Sequence, residues 1–249
     1  MENINTPKIK LSANLGLSLM ALAIIAGAFI VGQSAIKFKE ASYTLSVTGS
    51  AKKTVKSDQV IWNLQLSRFT KLAEVKTAYK QIDTDRQVVL DFLKTNNVAQ
   101  ENIVVQPATM EQQWDGPQVN NPQEKLYAVK QMITITSADV DGVTKVANAV
   151  QPIIEKGVLL SNLGLQYNYT KLSNERVEML AEAMKDARER AQSIAASDNQ
   201  EVGKFVEASS GVVQVLAKGS VDVSDYGSLD TSAIEKDIMV TMRATFRLK

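Results

Sequence analysis

The residues of this chain best suited to chemistry are its carboxylates, lysines and a few aromatics, because histidine and cysteine are both absent. Without cysteine there is no disulfide, no thiol nucleophile and no thiolate metal site. Without histidine the side chain that most often serves as general base and transition-metal ligand is missing. Catalysis would fall to Asp, Glu, Lys, Tyr or Ser alone. The carboxylate pairs stand at no diagnostic spacing and no phosphate-cradling glycine loop occurs, so the chain is not expected to be an enzyme, and no cofactor or metal is expected. Asp139-Val140-Asp141-Gly142 opens like a calcium loop but lacks the later ligands and the closing Glu. A helix cap explains it better. Asp222, Asp225 and Asp230 could gather a cation, yet the glycines and serines around them read as a loop. Lys52, Lys53 and Lys56 form a basic cluster that could touch anionic headgroups; the alternative is a solvated hairpin. Trp62, Trp114, Tyr167 and Tyr169 are the aromatics that could line an apolar site. Asn168-Tyr169-Thr170 matches a glycosylation sequon that most bacteria would not use.

Charge narrows the partners. Residues 1–40 hold four of the 28 basic and two of the 27 acidic residues, so the remainder is balanced to within one charge. That balance gives no electrostatic footprint for nucleic acid.

The elements that must position these residues begin with an uncharged run from Leu11 to Ile36, flanked by Lys8/Lys10 and Lys37/Lys39. Its most apolar part, 15–31, is longer than the roughly 7–15 residues of a signal-peptide core and approaches the roughly 20 helical residues that cross a bilayer. The run therefore predicts an uncleaved transmembrane anchor carried by Leu15, Leu19, Leu22, Ile25, Phe29 and Val31. With two lysines on each flank the positive-inside count is a near tie. A short tail before a long cysteine-free body predicts a single pass through a bacterial inner membrane, with the C-terminal domain in the periplasm or outside.

Periodicity organises the rest. Alternation predicts strands at 43–48, stopping at Gly49, and at 60–67, where Val60, Trp62, Leu64 and Leu66 share a face. A helix is expected over 72–95, with Leu72, Val75, Tyr79, Ile82, Arg86, Val89 and Leu93 on one face. Strands at 102–113 and 125–136 flank a turn-rich loop, and a helix at 139–155 ends at Gly157, with Pro152 kinking it or ending it early. A strand at 158–169 leads to a helix at 174–196, capped by Ser173, whose apolar face is Val177, Leu180, Ala181, Met184, Ala187, Ala191, Ile194 and Ala195. A strand at 202–214, a loop at 218–232 and a closing strand follow. In that closing strand Ile238, Val240, Met242, Ala244, Phe246 and Leu248 point one way.

The order strand–helix–strand–loop–strand occurs at 59–136 and again at 158–248. Leu64-Gln65 and Thr70-Lys71-Leu72 are mirrored by Leu165-Gln166 and Thr170-Lys171-Leu172. The expected fold is α+β: two βαββ halves, about 42–136 and 158–249, with antiparallel sheets and long helices on one face. The helix at 139–155 links them, and one N-terminal transmembrane helix precedes them. Residues 1–40 are tail and anchor, and 41–249 form one ectodomain.

Residues 42–249 resemble the SIMPL-domain (DUF541) family, which includes bacterial periplasmic immunogenic proteins and YggE-like envelope proteins. Val47-Thr48-Gly49-Ser50 through Ser57-Asp58-Gln59-Val60 resembles its "V-x-G-x-G … P-D-x-A" opening, with Ser50-Ala51 in place of the second glycine and Ser57 in place of the proline. Tyr127 with Val129 resembles its "Y-x-V" strand. Ala183-Met184-Lys185-Asp186-Ala187-Arg188-Glu189-Arg190-Ala191, followed by Ile194-Ala195, resembles "A-x-x-D-A-r-x-r-A-x-x-l-A" and is the most specific match. Where the family has glycine after that helix, this chain has Asp198-Asn199-Gln200. The resemblance implies an envelope protein linked to oxidative or envelope stress, with ring-like or cage-like homo-oligomers among its relatives, and it carries no catalytic residues. The expected partners are the lipid bilayer and copies of the chain itself. Strand edges, with Ile238, Val240, Met242 and Phe246 as an assembly strand, would close subunits into a ring or cage. The alternative is a periplasmic binding module holding a small apolar ligand or peptide between the halves.

Overall fold

A computed structural model describes residues 13–40, 43–113, 124–221 and 224–249, with side chains from residue 18 to 33 in the first stretch. Its elements in chain order are α1 (Ala13–Glu40), β1 (Thr44–Lys56), β2 (Gln59–Lys71), α2 (Val75–Thr95), β3 (Ile103–Val105), β4 (Thr109–Gln112), β5 (Leu126–Ser137), α3 (Val140–Asn148), α4 (Gln151–Glu155), β6 (Leu160–Asn168), α5 (Leu172–Ser197), β7 (Val202–Ser210), β8 (Gln214–Ala217), β9 (Ser228–Leu229) and β10 (Glu235–Leu248). The α+β class is as expected. Among the described residues no helix is long and apolar enough to cross a membrane. The described side chains of α1 extend over about 24 Å of helix, against the roughly 30 Å of a hydrocarbon core.

The strands form two five-stranded sheets, one ordered β1-β10-β8-β9 with β7 also on β10, the other β3-β5-β2-β6 with β4 also on β5. Every pairing in the second sheet is antiparallel, whereas β8 and β9 run parallel. This corrects the expected halves: β1 joins the C-terminal strands and β6 pairs along β2. The repeated strands are thus neighbours in one sheet, with Val60 opposite Tyr167 and Trp62 opposite Leu165. Sequence repetition fixed the order of elements but not their hydrogen-bonded neighbours.

By contact density the chain divides into two compact units: Met1–Gly49 with Met184–Ser209 and Met242–Lys249, and Ser50–Ala183 with Ser210–Thr241. In the larger unit, the inward faces of β2 and β5 pack under α2 and α3. Val60, Trp62, Leu64, Leu66, Ile133 and Ile135 meet Ile82, Val89 and Leu93 in one dry cluster. In the smaller unit, Ala187 and Ala191 of α5 pack against Val47, Ala244 and Phe246. Phe205 meets the Phe246 ring edge-on at 6.2 Å, and the Arg188 guanidinium lies 5.3 Å from that ring's centre.

Several boundaries and phases differ from expectation, each for a local reason. β1 continues through Gly49 to Lys56, because the alternation of buried residues runs on from Val47 to Ala51. The stretch 102–113 breaks into β3 and β4 at Gln106–Ala108, where Pro107 cannot donate to the ladder. The linking helix is two helices, and Pro152 occupies the first turn of the second. The strand at 202–214 likewise breaks into β7 and β8, around Gly211. There the backbone crosses so close to Thr241 that an added Cβ would sit 2.2 Å from its hydroxyl. Ser173 lies inside α5 and is not its cap. The buried stripe of α2 is Ala78, Ile82, Asp85, Val89 and Leu93, so Asp85 and not Arg86 faces inward. In α5 the buried line is Met179, Ala183, Ala187, Ala191 and Ala195, and Val177 and Ile194 are exposed. A close helix–sheet approach selects the alanines and turns the larger side chains outward.

Candidate functional site

On α1, a 28-residue helix, the described anchor residues Leu19, Leu22, Ile25, Phe29 and Val31 are each more than half exposed. Met20, Ile24 and Ile30 are exposed as well. At about 100° per residue, these eight positions leave one arc of about 100°, which Ala21, Ala28 and Gly32 occupy, so the helix has no polar face. Leu15 lies in α1, but its side chain is outside the described set.

The assembly-strand residues have another place. Ile238, Val240 and Phe246 are fully buried and Met242 is half-buried. β10 carries β1 along one side and β8 and β7 along the other, so it is an interior strand. The terminal strands of the second sheet are β6 on one side and β3 with β4 on the other.

Polar chemistry concentrates where β1 passes to β2 through Ser57 and Asp58. The lysines of the basic cluster are each ion-paired: Lys52 to Asp237 at 2.9 Å, Lys53 to Glu175 at 2.5 Å, and Lys56 to Asp141 at 2.6 Å. They do not form an open cationic patch. Because β1 and β2 lie in different sheets, they are not a hairpin either. Glu175 also accepts the Tyr169 hydroxyl at 3.0 Å. The Lys53 ammonium and the Tyr169 hydroxyl hold the Glu175 carboxyl below its usual range. Burial, and then the neighbouring Glu175 carboxylate, push the Tyr169 phenol up. Asp58 accepts the Thr170 backbone N–H at 2.7 Å and its hydroxyl at 2.9 Å, securing the chain just before α5. Thr170 of the sequon is engaged there. Ser57, where the family pattern has proline, donates its N–H to the Ile234 carbonyl at 2.8 Å, a bond no proline could make.

Three buried charges were not anticipated. Asp237, almost fully buried, accepts the Gly219 N–H at 2.9 Å and the Thr54 hydroxyl at 2.7 Å besides its Lys52 partner. The Gly219 N–H, then Lys52 and Thr54, hold this carboxyl well below the usual carboxylate range. Lys236 has no exposed surface. Its ammonium donates to the Asp230 carbonyl at 2.5 Å and lies 3.5 Å from the Asp230 carboxylate, and burial lowers its pKa. Asp85, buried on α2, takes a two-pronged bond from Arg68, 2.6 Å on each arm, and Arg68 also donates to the Gly157 carbonyl at 2.9 Å. One signal was available in the sequence. Lys236 shares the parity of Ile238 and Val240, so extending that face two residues back places it inside.

The remaining candidates separate. Asp139 accepts the Gly142 N–H at 2.9 Å and caps α3, while Asp141 pairs with Lys56, so both acids of the calcium-like run are engaged. Of the loop acids, Asp230 is bound to Ser232, Ala233 and Lys236 and Asp225 is exposed. Asp222 lies outside the described residues. The aromatics do not converge. Trp62 is core and donates to Asn162 at 3.0 Å, Tyr167 is buried with its hydroxyl 3.1 Å from that of Thr144, Tyr169 is held by Glu175, and Trp114 lies outside the described residues. An open groove of about 370 Å³ lies between α2 and α4, with Val88, Phe92, Pro152 and Ile153 in its floor and Asp91 and Lys156 at its rim.

The family described as SIMPL, protein of unknown function (DUF541), matches residues 45–246. A search of curated proteins finds no significant match.

Proposed function

The chain belongs to the SIMPL (DUF541) family, and from that premise we propose that it is a membrane-anchored, non-catalytic envelope protein that works by associating with copies of itself. The observation that carries the reading is α1, whose described apolar side chains are exposed on every side. A helix apolar all round is a membrane span or the centre of a large core. The sequence itself stays uncharged from 11 to 36, beyond the described side chains in both directions. Exposed in water, it would be an aggregation site; in lipid it holds the body at a bacterial inner membrane, with the C-terminal domain outside the cytoplasm. Several acids and bases of the body pair with one another, as at Lys53–Glu175 and Arg68–Asp85, which favours scaffolding over turnover. Anchoring in two dimensions raises local concentration and favours assembly, and closure into a ring or cage would hide strand edges. A role under envelope or oxidative stress is what the resemblance to the family implies.

The deciding experiment is the mass of the detergent-extracted full chain, by size exclusion with light scattering and by electron microscopy. Discrete closed oligomers are expected, and a stable monomer at micromolar concentration would overturn the assembly. Ile25→Lys, in the middle of α1, should release the chain from washed membranes; retention of that variant would overturn the anchor.

The groove between α2 and α4 favours a second reading, a binding module for a small apolar ligand or peptide. Its place would be this groove and not the aromatic residues. Native mass spectrometry showing a co-purified ligand, lost in Phe92→Asp, would favour it.

A further inference from the structure

The segment 230–234, between β9 and β10, makes more long-range bonds than its length suggests. The Asp230 N–H donates to the Val215 carbonyl of β8 at 2.8 Å. The Thr231 carbonyl accepts the Tyr167 N–H of β6 at 2.8 Å, and the Ile234 carbonyl accepts the Ser57 N–H at 2.8 Å. The Ile234 side chain packs on the core cluster beneath the second sheet. Five residues thus tie β8 of one sheet to the terminal strand of the other.

β6 is where a terminal strand needs protection. Among the described residues it pairs only with β2, so its far side presents backbone donors and acceptors that could template another chain. Leu163, on this strand, is exposed and apolar. Two local devices guard it. The register slips between the partners of Trp62 and Leu64, and Gly164 takes a left-handed φ of 92°, with its N–H donating to the Asn162 side chain at 3.1 Å. That bulge interrupts the middle of the strand. Towards the C-terminal end, Thr231 covers the Tyr167 N–H.

The segment holds its shape through one buried group. Asp230 folds it by accepting the N–H groups of Ser232 and Ala233 and the Ser232 hydroxyl. The fully buried Lys236 ammonium then binds the Asp230 carbonyl and carboxylate from below. We propose that residues 230–234 are a strap that guards the β6 edge, latched by Lys236, and that releasing the latch uncovers an edge able to pair with a second copy of the chain. A buried charge is not needed for stability as such, since apolar replacements of buried ion pairs are often neutral. As a latch, it explains why a lysine is kept at an inward position of an apolar strand.

The test is amide hydrogen exchange on the full chain in detergent, resolved at Tyr167 and Ser57, for Lys236→Met and for the milder Ser232→Ala. Loss of the charge-assisted bond should speed exchange at both amides by about tenfold or more in Lys236→Met, with a smaller rise in Ser232→Ala, while the amides of α2 and β5 keep their rates. The released variant should also associate beyond the parent state. Unchanged exchange at Tyr167 in both variants would overturn the latch. Faster exchange without added association would overturn the guard. If Lys236→Met does not fold, the Ser232→Ala profile alone decides, because Ser232 is exposed and its loss removes only the strap's own bonds.

Discussion

Arg68→Met is the sharpest test of how the larger unit is held together. The guanidinium closes two 2.6 Å bonds on Asp85 and a third, of 2.9 Å, on the Gly157 carbonyl. One side chain therefore joins β2, α2 and the turn after α4. The Asp85 side chain is 7% exposed and that of Arg68 23%. Methionine keeps the stem but leaves the carboxylate without its cation. Breaking a buried pair from one side costs about 3–5 kcal/mol. For a body of this size the midpoint should fall by roughly 6–20 °C at pH 7. Arg68→Met/Asp85→Leu should return to within about 1 kcal/mol of the parent, since an apolar pair replaces the ionic one. The assay is thermal unfolding of the full chain in detergent, followed by circular dichroism at pH 7. A single variant within about 1 kcal/mol of the parent, or a double variant no better than the single, would refute the reasoning.

Three further outcomes follow from the same geometry. Gly142→Ala would place a Cβ 2.0 Å from the Asp139 carboxylate, so the α3 cap should break, at a cost of about 1 kcal/mol or more, read as a lower unfolding midpoint. Asp237 and Glu175 both have folded pKa values below their ordinary ones. Their contribution is therefore full above the unfolded carboxylate range and lost as pH falls through the lower folded values. Stability measured from pH 6 downward should decline below about pH 4, and Asp237→Asn should flatten that decline. Ala187→Leu would force three carbons into the fully buried contact with Phe246 and Ala244; overpacking should cost about 1–3 kcal/mol, whereas Val177→Leu, at an exposed position of the same helix, should leave the midpoint in place.

What the sequence made legible was period. β2, β5 and β10 appear at the positions where apolar residues alternate, and α2 and α5 where they recur at helical spacing. The α+β class followed from that order of elements. Phase was harder, because a helix face is chosen by what it meets. Asp85 displaces Arg86 from the inward stripe of α2 since Arg68 waits on β2, and alanines displace valine and isoleucine on α5 because the sheet comes close. Neither partner lies within a helical turn of the residue it selects. The ionic sites were hidden for the same reason. Thr54 and Asp237 are 183 positions apart, and Lys53 and Glu175 are 122 apart, so no local window relates them. Lys52, Lys53 and Lys56, read alone, look like an open basic cluster; only the fold supplies a separate acid for each.

The junction at Ser57 and Asp58 shows why these pairs gather where they do. At that point the chain leaves one sheet and enters the other, so its backbone groups lose their ladder partners and must find others. Ser57 finds the Ile234 carbonyl, Asp58 finds the Asn168 carbonyl, and the Asp58 carboxylate in turn takes up the Thr170 N–H. An acid at position 58 is thus explained by the crossover itself, with no need for a ligand or a reaction. The same crossover accounts for the failure of the linear repeat. Once β1 is committed to β10, the second sheet lacks a strand beside β2, and β6 supplies it. The exchange that completes the second sheet also makes β6 its terminal strand, the strand that carries the bulge at Gly164 and meets the 230–234 segment at Tyr167.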